Sequence, residues 1–376
     1  MKALCRHDRA MRKGSELTLA IDTVAYGGDG IGRHEGCVVF VPFTIPGETV
    51  RVRVVKSQRQ WARAEVVALV TASPDRVVPP CPWFTRCGGC AYQHIAYARQ
   101  LTIKTAQVEE ALRRIGKFPN PPVEPARPSP HDYGYRNRIT VHVDPPAIGF
   151  RGTDPRQVVD ITRCLLADDA VNNALERLRT KRHPRPGPAT LRADPEARGF
   201  RQVNDGAAET LGALVAEMAG TGELLVDAYC GAGFFAKRLA GSFTRILGLD
   251  WDARSIEAAN NDAGAHEEYR AGDTVELLPS VLGAPETTVV LLDPPAQGLA
   301  PAVIDTLLNA RPFRVVYVSC DPATLARDLL RLSAGYDLVR ATPVDMFPQT
   351  ASIETACLLA AKPAPVQTSE PAPAMP

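Results

Sequence analysis

From residue 17 to residue 70 apolar and polar positions alternate in short runs broken by turn residues, most clearly in Thr49-Val50-Arg51-Val52-Arg53-Val54. Alternation of period two gives each strand one apolar face, and with the Gly27-Gly28-Asp29-Gly30 turn it predicts a five-strand β-barrel of about 55 residues. The outward positions carry Arg51, Arg53, Lys56, Arg59 and Arg63, with Trp61 among them. A basic and aromatic face suits an oligonucleotide, although a purely structural barrel could show the same pattern. A helical period follows over 97–115, and Pro119, Pro121, Pro122, Pro125, Pro128 and Pro130 then form a stiff connector that cannot continue it. Residues 133–200 read as a mixed region, with a basic strand at 135–143, a helix at 167–178 and a turn-rich stretch at 181–199.

After Gln202 the texture changes again. Short apolar runs at 224–228, 245–249, 288–292 and 315–319, each followed by turn or helix signals, predict an α/β, doubly wound, Rossmann-like parallel sheet, completed by late strands at 336–343 and 354–361. The chain therefore divides into a barrel at 14–70, a central α+β region at 71–200, an α/β domain at 201–362 and a Pro/Ala-rich tail at 363–376, expected to be disordered. No apolar run approaches the ~18 residues of a membrane helix, and the charged start MKALCRHDRAMRKG lacks a signal peptide's apolar core. The expectation is a cytoplasmic monomer with no membrane partner.

Composition adds one point to this picture. The net charge of +1 conceals an asymmetry: residues 1–200 hold 31 Lys and Arg against 20 Asp and Glu, a balance of +11, while residues 201–376 hold 12 against 22, a balance of −10. The front half is suited to a polyanion. Nine cysteines is an odd number, and in a reducing compartment they should be thiols. Cys81, Cys87 and Cys90 are bunched, which points to metal or catalysis.

Four motifs carry candidate chemistry. In Asp227-Ala228-Tyr229-Cys230-Gly231-Ala232-Gly233-Phe234, glycines between a strand and a helix let backbone amides approach a ligand. Asp250 ends the next strand, where a carboxylate can accept both hydroxyls of a ribose, and Asp273 sits where an adenine amine could be read. Ala236 replaces the third glycine of a dinucleotide fingerprint, so an adenosyl cofactor fits better than NAD. In Leu291-Leu292-Asp293-Pro294-Pro295 two prolines fix Asp293 at a strand end. In Val316-Tyr317-Val318-Ser319-Cys320-Asp321-Pro322 a cysteine, the strongest neutral-pH nucleophile among side chains, ends another strand. In Asp345-Met346-Phe347-Pro348…Glu354 a carboxylate starts a late strand.

Together with Phe200-Arg201-Gln202-Val203-Asn204 and the run Ser319-Cys320-Asp321-Pro322-Ala323-Thr324-Leu325-Ala326-Arg327-Asp328, this set resembles the RNA uracil-C5 methyltransferases, which use S-adenosyl-L-methionine to make 5-methyluridine. The barrel resembles that family's RNA-binding TRAM domain. The resemblance implies that Cys320 attacks uracil C6, that Glu354 removes the C5 proton, and that Gln202, Tyr229, Gly231, Gly233, Asp250, Asp273 and Asp293 bind or position the cofactor, Gln202 and Asp293 also serving the uracil. The target base must leave its stack to reach the sheet edge. Its most natural source is 23S ribosomal RNA, with transfer RNA as the alternative. The chain departs from the family at Ala296-Gln297-Gly298, where Arg often follows Asp-Pro-Pro, at Gln349 and Ser352, where His is common, and at Phe234 in place of Asn.

Cys81, Cys87 and Cys90, with Cys164 far downstream, resemble the family branch that holds a 4Fe-4S cluster, for which four thiolates are the usual ligands. Zinc is the rival, though its structural sites tend to use two close cysteine pairs. A non-catalytic RNA-binding protein is a further alternative. N-methylation fits less well because Ala296 stands where a D-P-P-aromatic motif needs its aromatic ring, and radical chemistry because the C-x3-C-x2-C spacing is absent.

Overall fold

The computed structural model of the chain describes residues 11–195 and 202–363; Phe200, Arg201 and all but the first residue of the expected tail lie outside them. Strands β1 (Glu16–Val24), β2 (Gly30–His34), β3 (Cys37–Val41), β4 (Thr49–Ser57) and β5 (Trp61–Thr71) form a closed barrel in the order β1-β2-β3-β5-β4. Along β4, Val50, Val52 and Val54 point into the core while Arg51 and Arg53 point outward, as the alternation requires. Part of the outward charge is spent within the barrel, since Arg53 pairs with Glu16 at 2.8 Å and Arg63 with Asp29 at 2.5 Å. Cys37 is disulfide-bonded, contrary to the expectation of thiols throughout, whereas seven other described cysteines are free.

Helix α1 (Tyr97–Arg114) follows the cysteine loop and ends on Arg113 and Arg114, the sign of charge that a helix C-terminus favours. Its buried face is unusual. Gln100, Lys104 and Gln107, at helical spacing, are interior together with Ile103, Val108 and Leu112. The proline connector is no free linker: Val123 and Arg127 bridge Ala341 and Val344 in parallel, so it lies along the sheet edge.

The central region is a four-stranded antiparallel sheet of β6 (Arg138–Asp144), β7 (Ala147–Arg151), β8 (Val158–Asp160) and β9 (Gly187–Arg192) in the order β8-β7-β6-β9, covered by α2 (Asp169–Arg179). Strand β9 falls in the stretch read as turns. It begins Gly-Pro and lies at the sheet edge, where proline is tolerated and the usual strand signal is weak.

The remainder is α3 (Asp205–Ala219), β10 (Gly222–Ala228), α4 (Phe234–Arg238), β11 (Phe243–Asp250), α5 (Ala253–Asn261), β12 (Glu267–Ala271), α6 (Thr274–Val281), β13 (Thr288–Leu292), α7 (Pro301–Ala310), β14 (Arg314–Ser319), α8 (Pro322–Leu332), β15 (Tyr336–Val344) and β16 (Glu354–Ala361). The sheet order is β12-β11-β10-β13-β14-β16-β15. Five strands are parallel, and β16 enters antiparallel between β14 and β15. The core strands are continuous apolar runs, as expected for a sheet covered on both faces. Strand β12, Glu-Glu-Tyr-Arg-Ala, escaped the sequence reading because an edge strand needs no such run.

Candidate active site

The carboxyl end of the parallel strands gathers the motif residues. Cys320 follows Ser319, the last residue of β14, and Asp321 then caps α8, its carboxylate accepting from the amides of Ala323 (3.0 Å) and Thr324 (2.7 Å). Because Ser319 pairs with Thr355 across β14 and β16, the next step of the antiparallel register sets Cys320 beside Glu354. Asp293 follows Leu292, whose partner on β14 is Tyr317. Insertion of β16 between β14 and β15 is thus what brings the late carboxylate to the cysteine.

This corner is negatively charged and poorly solvated. Glu354 is 8% exposed, and burial followed by the charge of Asp293 holds its carboxyl well above the usual range. Burial pushes Asp293 up to about 7. Cys320 is pushed up to about 11 by burial and then by Glu354 and Asp293, so it is a neutral thiol at neutral pH. Two carboxyls held above their usual range beside a thiol form a proton-handling cluster.

The glycine turn lies two strands away, after β10. Tyr229 (φ 87°), Gly231 (φ 54°) and Gly233 (φ 83°) all adopt left-handed backbone. At Gly233 a Cβ would come within 3.1 Å of Tyr269, whereas the space beside Gly231 is open. Asp250 is held by two amides, Gly231 N–H to Oδ2 at 2.8 Å and Asp252 N–H to Oδ1 at 2.9 Å. Its remaining lone pairs are free to take hydroxyl donors, as a ribose would require. Asp227 is fully buried and pushed up to about 8 by that burial, and its Oδ1 has no hydrogen-bond partner among the described residues. The open glycine, the pre-set carboxylate and the orphaned oxygen fit an adenosyl group. Asp273 is exposed and caps α6 through the Val275 amide (2.8 Å), so one of its oxygens is already engaged. Gln202 is half-buried ahead of α3, and its carbonyl accepts from the Asn137 side chain at 2.8 Å.

The four cysteines of the second cluster are brought together. Cys81, Cys87, Cys90 and Cys164 line one cavity with Trp83, Phe150 and Arg136. Burial pushes Cys87 and Cys164 up and Cys90 to about 12. The Nε of Arg136 is buried and has no hydrogen-bond partner among the described residues. Among those residues, no set of three or more His, Cys, Asp and Glu side chains is arranged to hold a metal ion. The four cysteines line one cavity, and the donor set, four sulfurs beside a buried cation, suits an anionic polynuclear group.

Sequence reasoning missed what joins these parts. Lys104, with no exposed side-chain surface, donates to Asp345 Oδ1 at 2.6 Å and to the Phe347 carbonyl at 3.1 Å. Gln100 donates to Gln349 Oε1 at 2.8 Å and accepts from the Gln349 amide at 3.0 Å. The Gln349 carbonyl in turn accepts from Ala91 and Tyr92, next to Cys90. Gln107 donates to the carbonyls of Val24 (3.0 Å) and Ala25 (2.9 Å) in the barrel. Polar residues on a helix usually mark the wet face, so the only available signal, their i, i+4, i+7 spacing, points the wrong way.

Comparison with known proteins bears on the whole chain. Residues 11–67 match the profile of the TRAM domain, and residues 276–362 match that of the family described as tRNA (Uracil-5-)-methyltransferase. Relatives named as uncharacterized RNA methyltransferases in Nitratidesulfovibrio vulgaris and Gloeobacter violaceus are each 33% identical, with 93% of this chain and 97% of the relative covered. The structure of the Pyrococcus abyssi tRNA (uracil-54, C5)-methyltransferase, solved with S-adenosyl-L-homocysteine, superposes with a TM-score of 0.68 over 92% of this chain and 100% of that one, at 24% identity, and so shares the fold.

Proposed function

The chain belongs to the S-adenosyl-L-methionine-dependent RNA (uracil-5-)methyltransferase family, and on that premise we propose that it methylates uridine C5 in structured RNA through a covalent Cys320 adduct. The observation that carries this reading is the β14–β16 register, which sets Cys320 beside Glu354 at the strand ends with Asp293 close enough to raise both.

Uracil C5 is a weak nucleophile. The S–H proton of Cys320 passes to the Asp293 carboxylate, and attack of the freed sulfur at C6 forms an S–C6 bond and moves the C5–C6 π electrons toward C5 and the C4 carbonyl, which makes C5 enolate-like. Bound at this edge, S-adenosyl-L-methionine supplies an electrophilic methyl on a cationic sulfonium, the charge that the Cys320, Glu354 and Asp293 cluster lacks. Once C5 carries both methyl and hydrogen, Glu354 takes the proton, the C5–C6 double bond reforms and Cys320 leaves as thiolate. A carboxyl with a raised pKa is well matched to that proton transfer. Asp250, Tyr229, Gly231 and Gly233 would hold the adenosyl part, with Asp273 at its edge; Gln202 and Asp293 would orient the uracil and the reacting methyl.

The barrel and the basic central region would dock the RNA. We assign 23S ribosomal RNA as the preferred substrate and transfer RNA as the alternative. Cys81, Cys87, Cys90 and Cys164 would hold a 4Fe-4S cluster that organises the loop between barrel and central sheet. The test of the assignment is mapping 5-methyluridine in RNA from a strain lacking the protein. Loss of one ribosomal 5-methyluridine is expected; loss confined to transfer RNA would move the substrate, and no loss in either would overturn the activity.

A further inference from the structure

The turn between β1 and β2 leaves the barrel and ends at the reactive edge. The hydroxyl of Tyr26 donates to the backbone carbonyl of Cys320 at 3.2 Å, across 294 residues of sequence. The turn is fixed from several sides. Ala25 N–H bonds Asp29 (2.8 Å) and Gly28 N–H bonds Ala25 (3.0 Å), while Gln107 of α1 holds the carbonyls of Val24 and Ala25. On its other side Gly28 (φ 100°) lies so close to the cysteine loop that a Cβ there would stand 2.8 Å from that of Ala91. Despite this clamping, the Tyr26 side chain is among the large exposed groups, 44% accessible. It lines a groove with Ile31, Phe40 and Ile115 that reaches Pro322, two residues after Cys320.

A rigid aromatic ring left open to solvent beside a nucleophile is a stacking platform prepared in advance. We propose that Tyr26 is a positioning residue supplied by the barrel: its hydroxyl fixes the backbone of Cys320, and its exposed ring stacks on a base of the RNA strand that delivers the uridine. The proposal rests on the reading of Cys320 as the nucleophile. The phenol remains a donor at working pH, because burial and then Asp321, Cys320 and Glu354 push its pKa up to about 12. The barrel therefore does more than add affinity, since it completes the reactive edge.

Tyr26→Phe and Tyr26→Ala separate the two contacts in the full-length protein, using a uridine-containing substrate RNA for kinetics and its 5-fluorouridine form for trapping. Tyr26→Phe should keep the KM for RNA and lower kcat several-fold. Tyr26→Ala should show the same fall in kcat and a KM for RNA raised roughly ten- to hundredfold, the loss expected for one stacked base. S-adenosyl-L-methionine binding should match wild type in both, which excludes a folding defect. A Tyr26→Ala KM within twofold of wild type would overturn the stacking role, and a Tyr26→Phe kcat equal to wild type would overturn the positioning role. Absence of a covalent adduct in the wild-type protein would instead overturn the assignment of Cys320 on which both stand.

Discussion

Cys320 and the four cysteines of the cavity are all partly buried thiols, and burial pushes Cys320, Cys87, Cys90 and Cys164 upward alike. What separates them is the charge of their neighbours. Around Cys320 stand Glu354, Asp293 and Asp321, which raise it further, while Arg136 works against burial at Cys90 and Cys164. A thiolate among carboxylates is short of stabilisation and gains by forming a bond, whereas a thiolate beside a buried guanidinium can persist as a ligand. On the proposed reading, the same residue type would serve turnover in one place and residence in the other.

Exchanging the two roles is the severest test. Cys320→Ala should lower methyl transfer by about a thousandfold or more and abolish the RNA adduct on a denaturing gel, while iron in anaerobically purified protein stays at the wild-type level. If iron falls as well, the two thiol groups are not independent. Glu354→Gln should lower turnover by about a hundred- to ten-thousand-fold, yet let the methylated adduct accumulate because its C5 proton has no acceptor. Rapid release would refute the assignment of Glu354.

Cys87→Ser should have the reverse profile, with brown colour and labile sulfide lost and RNA affinity weakened while S-adenosyl-L-methionine binding persists. Stoichiometric zinc without iron in the wild type would withdraw the cluster. A milder contrast is kinetic. The rate of Cys320 alkylation in the cofactor-free protein should keep rising with pH toward about 11, beyond the ordinary thiol value of 9.0, because a raised pKa lowers the thiolate fraction at neutrality. A plateau near 9.0, read by mass spectrometry of the Cys320 peptide, would show that the carboxylates do not act on it.

The smallest effect concerns the barrel. Removing it whole would expose a shared core, since Val24 and Ile45 pack with Tyr92, Ile95 and Ile103, so a point change is the cleaner probe. Arg59→Ala should lower the slope of log affinity against log salt by about one, with kcat unchanged. An unchanged slope would take Arg59 off the RNA path.

Much of this was legible in the chain because its signals are local. Alternation gave the barrel, apolar runs gave the central strands of the large sheet, and strand-end motifs placed Cys320, Asp293 and Asp250 at the carboxyl end of that sheet. Edge strands β9 and β12 were not legible, since half-paired strands tolerate proline and charge. Tyr26, Arg136 and the polar stripe of α1 were also out of reach. Their meaning lies in partners that sequence places far away, and a buried Lys104 looks like an exposed one until Asp345 is seen opposite.

That stripe also sets the order in which the molecule can be finished. Lys104 is matched to a carboxylate 241 residues further along, and Gln100 to an amide 249 residues along. Before those residues leave the ribosome, burying the inner face of α1 would strand an ammonium without a counter-ion, so the face must stay wet. Contacts of such long span also form slowly. Helix α1 must therefore wait, half-packed, for the last strands to arrive, and its protease protection should appear in stalled nascent chains only after residues 345–354 have emerged.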